Sequence, residues 1–181
     1  MNKNIFNEMV LYNEQTWERL SSMMKSEDDI GVVLRLHLIT EKIIEAWCCA
    51  ASNNPNFFDG FGENLTMSYA AKLKLASNFG LNDFSYQELK EINRIRNARS
   101  HQIDNAQITD KEIQKMITHI SEGGQKDLIE DEKFGIWVDG QGIHLNKDGI
   151  PNREKFIAIL AGVIHRITKQ ANNYDGFIKL L

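Results

Sequence analysis

Hydrophobic residues recur at helical spacing along most of the chain, and this pattern predicts an all-α fold. In residues 4–25 the side chains of Phe6, Val10 and Trp17 fall near one face, as they do in an amphipathic helix. Residues 30–51 are apolar on nearly every side. A helix of that kind lies at the centre of a fold and packs on several neighbours.

Capping signals mark the boundaries of the next two helices. One helix is expected from about Thr66 to Phe79, with Gly80 as the glycine that follows its last turn. The next is expected to start at Ser85, because Ser85 and Glu88 have the spacing of a capping box. It continues into an arginine-rich segment.

The second half of the chain adds two helices and one β-prone segment. Thr109 and Glu112 have the spacing of another capping box, so a fifth helix is expected to begin there. Residues 134–146 have the composition of two short strands joined by a turn, and residues 152–170 have the pattern of a final helix. The sequence therefore predicts one domain (1–181), a helical bundle of about six helices with one small β-hairpin.

The net charge limits the kinds of partner that the whole protein can attract. The chain carries a net charge of −4, and its isoelectric point is about 5.7. An acidic protein does not coat nucleic acid through general electrostatic attraction, and no segment has the pattern of a helix-turn-helix. Direct DNA binding is therefore not expected, although a local basic patch could still bind RNA.

Cysteine content and the lack of long apolar runs bear on the compartment and on cofactors. Cys48 and Cys49 are adjacent, so on a helix they point about 100° apart and do not bridge each other. The N-terminal residues lack the apolar region of a signal peptide, and no apolar run approaches the roughly 20 residues of a membrane span. We expect a cytoplasmic protein without contact to a membrane. No P-loop and no paired-cysteine zinc motif occurs in the sequence, so no cofactor or metal is expected.

The strongest candidate for chemistry is the segment from Arg94 to His101. Arg94, Arg96 and Arg99 lie within six residues of an acidic chain, and His101 follows closely. Guanidinium groups bind phosphate, and histidine is the side chain that titrates nearest neutral pH. Together they supply two of the elements needed to cleave an RNA phosphodiester by attack of its own 2′-hydroxyl.

The spacing within this segment restricts how the groups can meet. Arg96 and His101 are five positions apart, which corresponds to about 140° of rotation on a helix. Asn97 and His101 are four apart and share a face. Arg96 and His101 could therefore converge if the helix bends near Ser100, or across a symmetric dimer.

Structural interpretations of the same residues stay open beside the functional one. The arginines could pair with nearby acids such as Glu88 and Glu91, and His101 could cap the helix carbonyls. In the second helix, His37 and Glu41 are four apart. They could be two ligands of a metal, or a hydrogen-bonded buried pair.

Arg96, Asn97 and His101 resemble the motif of the HEPN superfamily, in which an arginine, a polar residue, a few variable residues and a histidine occur late in a helical bundle. Residues 36–45 also resemble the second helix of that superfamily. The stretch from 71 to 113 is similar to its mannitol-operon-repressor (MtlR-like) branch. The resemblance covers roughly residues 28–120 and leaves out the β-prone segment and the last helix.

The resemblance implies a metal-independent endoribonuclease of the toxin or phage-defence type, acting as a homodimer with the two motifs at the interface. In that function Arg96 would polarise the scissile phosphate and His101 would act as acid or base. Asn97 would orient the histidine or the phosphate, and Arg94 and Arg99 would hold flanking phosphates.

The MtlR-like branch implies a different function, that of a regulatory protein that acts by binding another protein. The expected partners are therefore a second copy of the chain together with either an RNA substrate or a regulatory protein, for example an antitoxin. The aromatic residues that could cover such an interface, or else pack on the core, are Phe57, Phe58, Phe61 and Trp137.

Overall fold

Helices account for most of the chain that the structure describes. The computed structural model describes residues 1–10, 22–23, 28–59, 66–99, 107–123, 136–138, 141–143, 145 and 149–172. Its main helices are α1 (Lys3–Val10), α2 (Asp29–Ser52), α3 (Tyr69–Asn78), α4 (Asp83–Arg99), α5 (Asp110–Glu122) and α6 (Asn152–Asn172). Two strands, β1 (Ile136–Val138) and β2 (Gln141–Ile143), pair antiparallel with Ile136 opposite Ile143. The predicted helical bundle is confirmed. The predicted hairpin region, 134–146, includes residues outside this description.

Helix α2 is the central helix that its apolar pattern predicts. The side chain of Asp28 caps its start by accepting a hydrogen bond from the N–H of Ile30. The helix ends at Asn53, whose φ of 55° is the left-handed conformation common after a last helical turn. Helices α1, α3, α4 and α6 all pack against it. Leu36 and Trp47 have no exposed surface, and burying one such side chain contributes about 1.5–3 kcal/mol.

Helix α1 covers one end of α2. Phe6 is fully buried, and its ring meets that of Trp47 edge-on, with the ring centroids 6.3 Å apart. The prediction of a helix over 4–25 is therefore confirmed for its first turns. Residues 11–21, which would continue it, lie outside the described residues.

The junction between α3 and α4 differs from the prediction at one of its two caps. Gly80 has a φ of 88°, and its N–H bonds to the Ser77 carbonyl, so its predicted place after α3 is confirmed. The predicted capping box of α4 is wrong. The cap is Asn82, whose Oδ1 accepts a hydrogen bond from the N–H of Ser85 at 2.8 Å. Ser85 and Glu88 face the interior and are fully buried, because α4 packs on α6 with that side.

The capping box of α5 is present as predicted. The Thr109 hydroxyl accepts a hydrogen bond from the N–H of Glu112, and the Glu112 carboxylate accepts one from the N–H of Thr109. Glu112 is also buried, with 6% of its surface exposed. Its carboxylate faces α4 and forms ion pairs with Arg94 and Arg99 of that helix.

The aromatic residues after α2 pack on the core. Phe57 and Phe58 are half-buried against it, and the rings of Phe57 and Phe79 meet edge-on with centroids 6.0 Å apart. Phe61 and the side chain of Trp137 lie outside the described part of the chain. Within the described residues, no helix has the length and the apolar character that crossing a membrane requires.

Glu88 joins α4 to α6. Both of its carboxylate oxygens accept hydrogen bonds from Arg166 Nη1, at 2.8 and 2.9 Å, and the side chain has no exposed surface. Burial raises the pKa of Glu88 to about 7, although the charge and hydrogen bonds of Arg166 oppose the rise. The folded-state pKa thus lies above the ordinary value of 4.5 that applies in the unfolded chain.

The pKa of Glu88 predicts a loss of stability on the way to neutral pH. Between about pH 4.5 and 7 the folded state holds a proton that the unfolded state has released, so stability falls as pH rises through this window. We expect the free energy of unfolding of wild type, minus that of Glu88→Gln, to fall by roughly 3 kcal/mol across it. Urea unfolding at several pH values measures this difference. Glu8→Gln, at an exposed glutamate of α1, is the control and should show a much smaller change across the window. A Glu88 difference that stays flat or rises with pH would contradict the raised pKa.

Candidate functional site

The last two turns of α4 carry the predicted cluster of arginines on different sides of the helix. Arg94 is exposed, Arg96 is half-buried and Arg99 is buried. Steps of two and three residues correspond to rotations of about 200° and 300° around a helix, which is why neighbouring arginines face different surroundings. Their partners decide which of them is available to a ligand.

Arg99 faces inward and binds two groups close to the start of α5. Its Nη2 donates a hydrogen bond to the Glu112 carboxylate and another to the carbonyl oxygen of Gln107, at 2.9 Å. Only 6% of its surface is exposed. In this arrangement Arg99 offers a flanking phosphate little surface, and it contributes to the packing of α4 on α5.

Arg94 belongs to an ion-pair network on the α5 side of the helix. Its Nη2 lies 2.7 Å from Glu91 and 3.6 Å from Glu112, and Lys115 binds the other oxygen of Glu91 at 2.6 Å. Burial alone would raise the pKa of Glu91, but the hydrogen bonds from Arg94 and Lys115 outweigh it and the pKa is lowered. Glu91 is therefore a true partner of Arg94, whereas Glu88 pairs with Arg166 and with none of the three arginines.

Arg96 differs from the other two arginines. Its Nη1 donates a hydrogen bond to the side-chain oxygen of its neighbour Asn97, at 3.0 Å. Among the described residues no carboxylate forms an ion pair with it, and this is what sets it apart. Its Nε is buried without a hydrogen-bond partner there, as is the Nε of Arg99. A half-buried cation without an ion-pair partner among the described residues can attract an anion, and Asn97 beside it is exposed.

His37 of α2 lies on the side of α4 that carries Arg96. Its Nε2 is 3.1 Å from Oδ1 of Asn93, and Asn93 is one turn before Arg96. The imidazole stacks on the ring of Tyr69, with centroids 4.2 Å apart. Burial lowers the pKa of His37 and the charge of Arg96 adds to the lowering, while the Asn93 hydrogen bond and the charge of Glu41 oppose it.

The interpretation of His37 and Glu41 as a hydrogen-bonded pair is corrected by this geometry. They do not form a hydrogen-bonded pair, because His37 bonds Asn93 and Glu41 bonds Lys72 at 2.8 Å. In the described part of the chain, no group of three His, Cys, Asp or Glu side chains is placed to hold a metal ion. The sequence analysis missed the link between His37 and Arg96, and the available signal was a polar residue in a nearly all-apolar helix, which must find a partner.

The structure thus brings together part of the predicted site. Arg96 and Asn97 are adjacent and bonded to each other at the end of α4, with His37 on the facing helix. His101, the predicted acid or base, lies outside the described residues. The two cysteines are buried on α2, where burial raises the pKa of Cys48 to about 12, so that thiol is not a nucleophile at neutral pH.

What these groups can do chemically is bind and polarise an anion. Arg96 supplies a fixed charge, Asn97 supplies an amide that can donate or accept, and both lie at the end of a helix where a chain can approach. Comparisons of the chain with protein-family models, with curated proteins and with solved structures found no match.

Proposed function

We propose that the protein is a metal-independent endoribonuclease of the HEPN type, with a HEPN-like helical bundle and its site at the end of α4. The observation that carries the proposal is the state of Arg96. Of the three arginines it is the one with no carboxylate partner among the described residues. It is therefore the guanidinium most available to a scissile phosphate.

In this proposal each group has one role. Arg96 binds the phosphate and stabilises the charge that develops on its oxygens during attack. Asn97, bonded to Arg96, orients that guanidinium or the phosphate. His101 moves the proton, as acid or base. Arg94 is exposed and can hold a flanking phosphate, whereas buried Arg99 supports the helix end.

The proposal includes a homodimer. Arg96 and His101 are separated by about 140° on an unbroken helix, so one copy of the motif does not bring both to the same phosphate in that geometry. A two-fold axis at the helix ends would place Arg96 of one copy near His101 of the other, and two-fold dimers are the commonest oligomers. Toxin or phage-defence activity, with an antitoxin as partner, is the biological role that this reaction would serve.

The test is cleavage of single-stranded RNA by purified wild type and His101→Ala in EDTA. We expect wild type to cleave and to leave cyclic-phosphate ends, because the attacking group is the neighbouring 2′-hydroxyl. We expect His101→Ala to lose cleavage by about 100-fold or more, and light scattering to show both as dimers. Equal cleavage by both proteins would contradict the role of His101, and cleavage by neither on several RNAs would exclude the nuclease.

A second candidate function is regulation through protein binding, as in the MtlR-like branch. The observation that favours it is Leu38 on α2, which is 61% exposed. It lies between the exposed residues Arg35 and Lys42 on the outer side of that helix. A protein partner would bury such a leucine, so a protein without RNase activity that binds its partner less tightly as Leu38→Ser would support this function.

A further inference from the structure

The starting observation is a continuous polar face that crosses from α2 to α4. Asn93, Arg96 and Asn97 lie three and four residues apart, so they share one face of α4. His37 meets that face from α2 through its contact with Asn93. The imidazole therefore contacts the residue one helical turn before Arg96, whose guanidinium the proposed function assigns to phosphate binding.

The ring of His37 is held in a fixed orientation. It stacks on Tyr69, whose hydroxyl donates to Thr40 Oγ1 at 3.1 Å. The Thr40 hydroxyl donates in turn to the backbone carbonyl of His37 at 2.8 Å. Since Oδ1 of Asn93 can only accept, Nε2 of His37 carries a hydrogen. Protonation at Nδ1 would leave this hydrogen bond intact, so the imidazole can gain a charge without losing its place.

We propose that His37 belongs to the anion site at Arg96 and supplies its second positive charge when a backbone phosphate of single-stranded RNA is bound. This inference rests on the proposed function for the identity of the ligand. His37 acts through its charge across the face of α4, since only 6% of its surface is exposed. The proton comes from solvent, and the imidazole returns it when the RNA leaves.

The electrostatics give the direction of the coupling. Without a ligand, burial and the charge of Arg96 keep the pKa of His37 low, against the hydrogen bond of Asn93 and the charge of Glu41. Tyr69 faces the ring from α3, and Lys72 of the same helix binds Glu41. A phosphate on Arg96 compensates the guanidinium charge and adds a negative one, so it favours the protonated imidazole.

The experiment follows the histidine rings by nuclear magnetic resonance as a function of pH, with and without 2′-O-methyl oligouridine. This RNA has no free 2′-hydroxyl and is not cleaved by the proposed reaction, so binding is measured apart from activity. The five histidines are assigned with His37→Gln and the remaining single variants. We expect the oligonucleotide to raise the pKa of His37 by about one pH unit in wild type.

Arg96→Gln is the matched variant. It should raise the pKa of His37 in the free protein, because one of the two lowering causes is gone, and the oligonucleotide should then leave it unchanged. Sodium sulfate is the second probe. A response to sulfate as well as to RNA means that any oxyanion is accepted, and a response to RNA alone means that the strand is recognised.

A third variant, His37→Gln, tests the same inference through affinity instead of through the pKa of His37. His37→Gln retains a donor for Asn93, and we expect its affinity for the oligonucleotide to rise less than that of wild type as pH falls. If the variant does not fold, the wild-type and Arg96→Gln titrations decide alone. The inference is overturned if the oligonucleotide binds without moving the pKa of His37, or if it does not bind. If ordinary RNA is cleaved but the oligonucleotide leaves the pKa of His37 unchanged, this inference is wrong and the proposed function stands. If the pKa of His37 rises but no RNA is cleaved, the ribonuclease is excluded and the anion site stands.

Discussion

Replacing Arg96 with alanine is expected to lower kcat/KM for RNA cleavage by about 100- to 1000-fold, the usual cost of losing one group that stabilises charge in the transition state. The fold should be unaffected, because Arg96 has no ion pair with a described residue whose loss would leave a buried charge. A change in the free energy of unfolding below about 0.5 kcal/mol is expected. Steady-state cleavage of a fluorogenic oligonucleotide and urea unfolding measure the two quantities.

Two further variants make this result specific. Arg96→Lys keeps the charge but loses the planar, two-pronged donor, so it should recover only part of the rate. Lys90→Ala removes an exposed cation from the same helix. It should change kcat/KM by less than about threefold, because salt screens the attraction between an exposed lysine and a phosphate bound elsewhere. Equal losses in Lys90→Ala and Arg96→Ala would mean that general charge, not a site at Arg96, drives cleavage.

The largest effect on stability is expected at Glu112. Its carboxylate accepts hydrogen bonds from Arg99 and from the N–H of Thr109, and Arg94 lies 3.6 Å from its other oxygen. Removing it leaves Arg99 buried without its counter-charge, which costs about 3–5 kcal/mol. For a chain of this size we expect Glu112→Ala to lower Tm by roughly 10 °C, measured by differential scanning calorimetry.

Conservative variants separate the two roles of Glu112. Glu112→Gln keeps an acceptor for the helix cap but not the charge, so it should lose less stability than Glu112→Ala, by about the 1 kcal/mol of a cap. Arg99→Met combined with Glu112→Met should recover much of the loss, because no buried charge is left. Glu122→Ala, at an exposed glutamate in the last turn of the same helix, is the control. If the Tm of Glu112→Ala lies within about 2 °C of that control, the two variants differ by roughly 1 kcal/mol or less in the free energy of unfolding. The buried ion pair would then contribute little to stability.

The parts of the fold that the sequence predicted correctly are those that depend on local chemistry. The bounds of α2 follow from an apolar run that only a central helix can bury. The start of α5 follows from Thr109 and Glu112, which satisfy each other within four residues. Gly80 follows from a backbone conformation that other residues rarely adopt.

The prediction failed where a distant partner decided the outcome. Asn82 and Ser85 both have the chemistry of a cap. Ser85 and Glu88 are buried on the side that packs on α6, so of the two candidates Asn82 caps the helix. The partner of Glu88 is Arg166, 78 residues further along the chain, and no local pattern around Glu88 identifies a partner that distant.

The candidate site shows the same limit. The pairing of Arg94 with Glu91, three residues away, could be predicted from spacing. The partner of Arg99 is Glu112 on the next helix, and the partner of His37 is Asn93, 56 residues along the chain. The sequence therefore predicted that arginines cluster at the end of α4, while the tertiary packing decided which of them lacks a carboxylate partner among the described residues.

The contact between Arg99 and Gln107 has a consequence for the segment that carries His101. By donating to the Gln107 carbonyl, Arg99 holds Gln107 close to the end of α4, so the two residues that flank positions 100–106 are fixed relative to each other. Lengthening a connection between two fixed points costs little chain entropy, only about 0.6 kcal/mol for each doubling of its length. We therefore expect insertions between these two anchors to change stability little, while each added residue changes how far His101 can lie from Arg96. The number of residues between the anchors is thus a variable that can tune the proposed chemistry almost independently of folding.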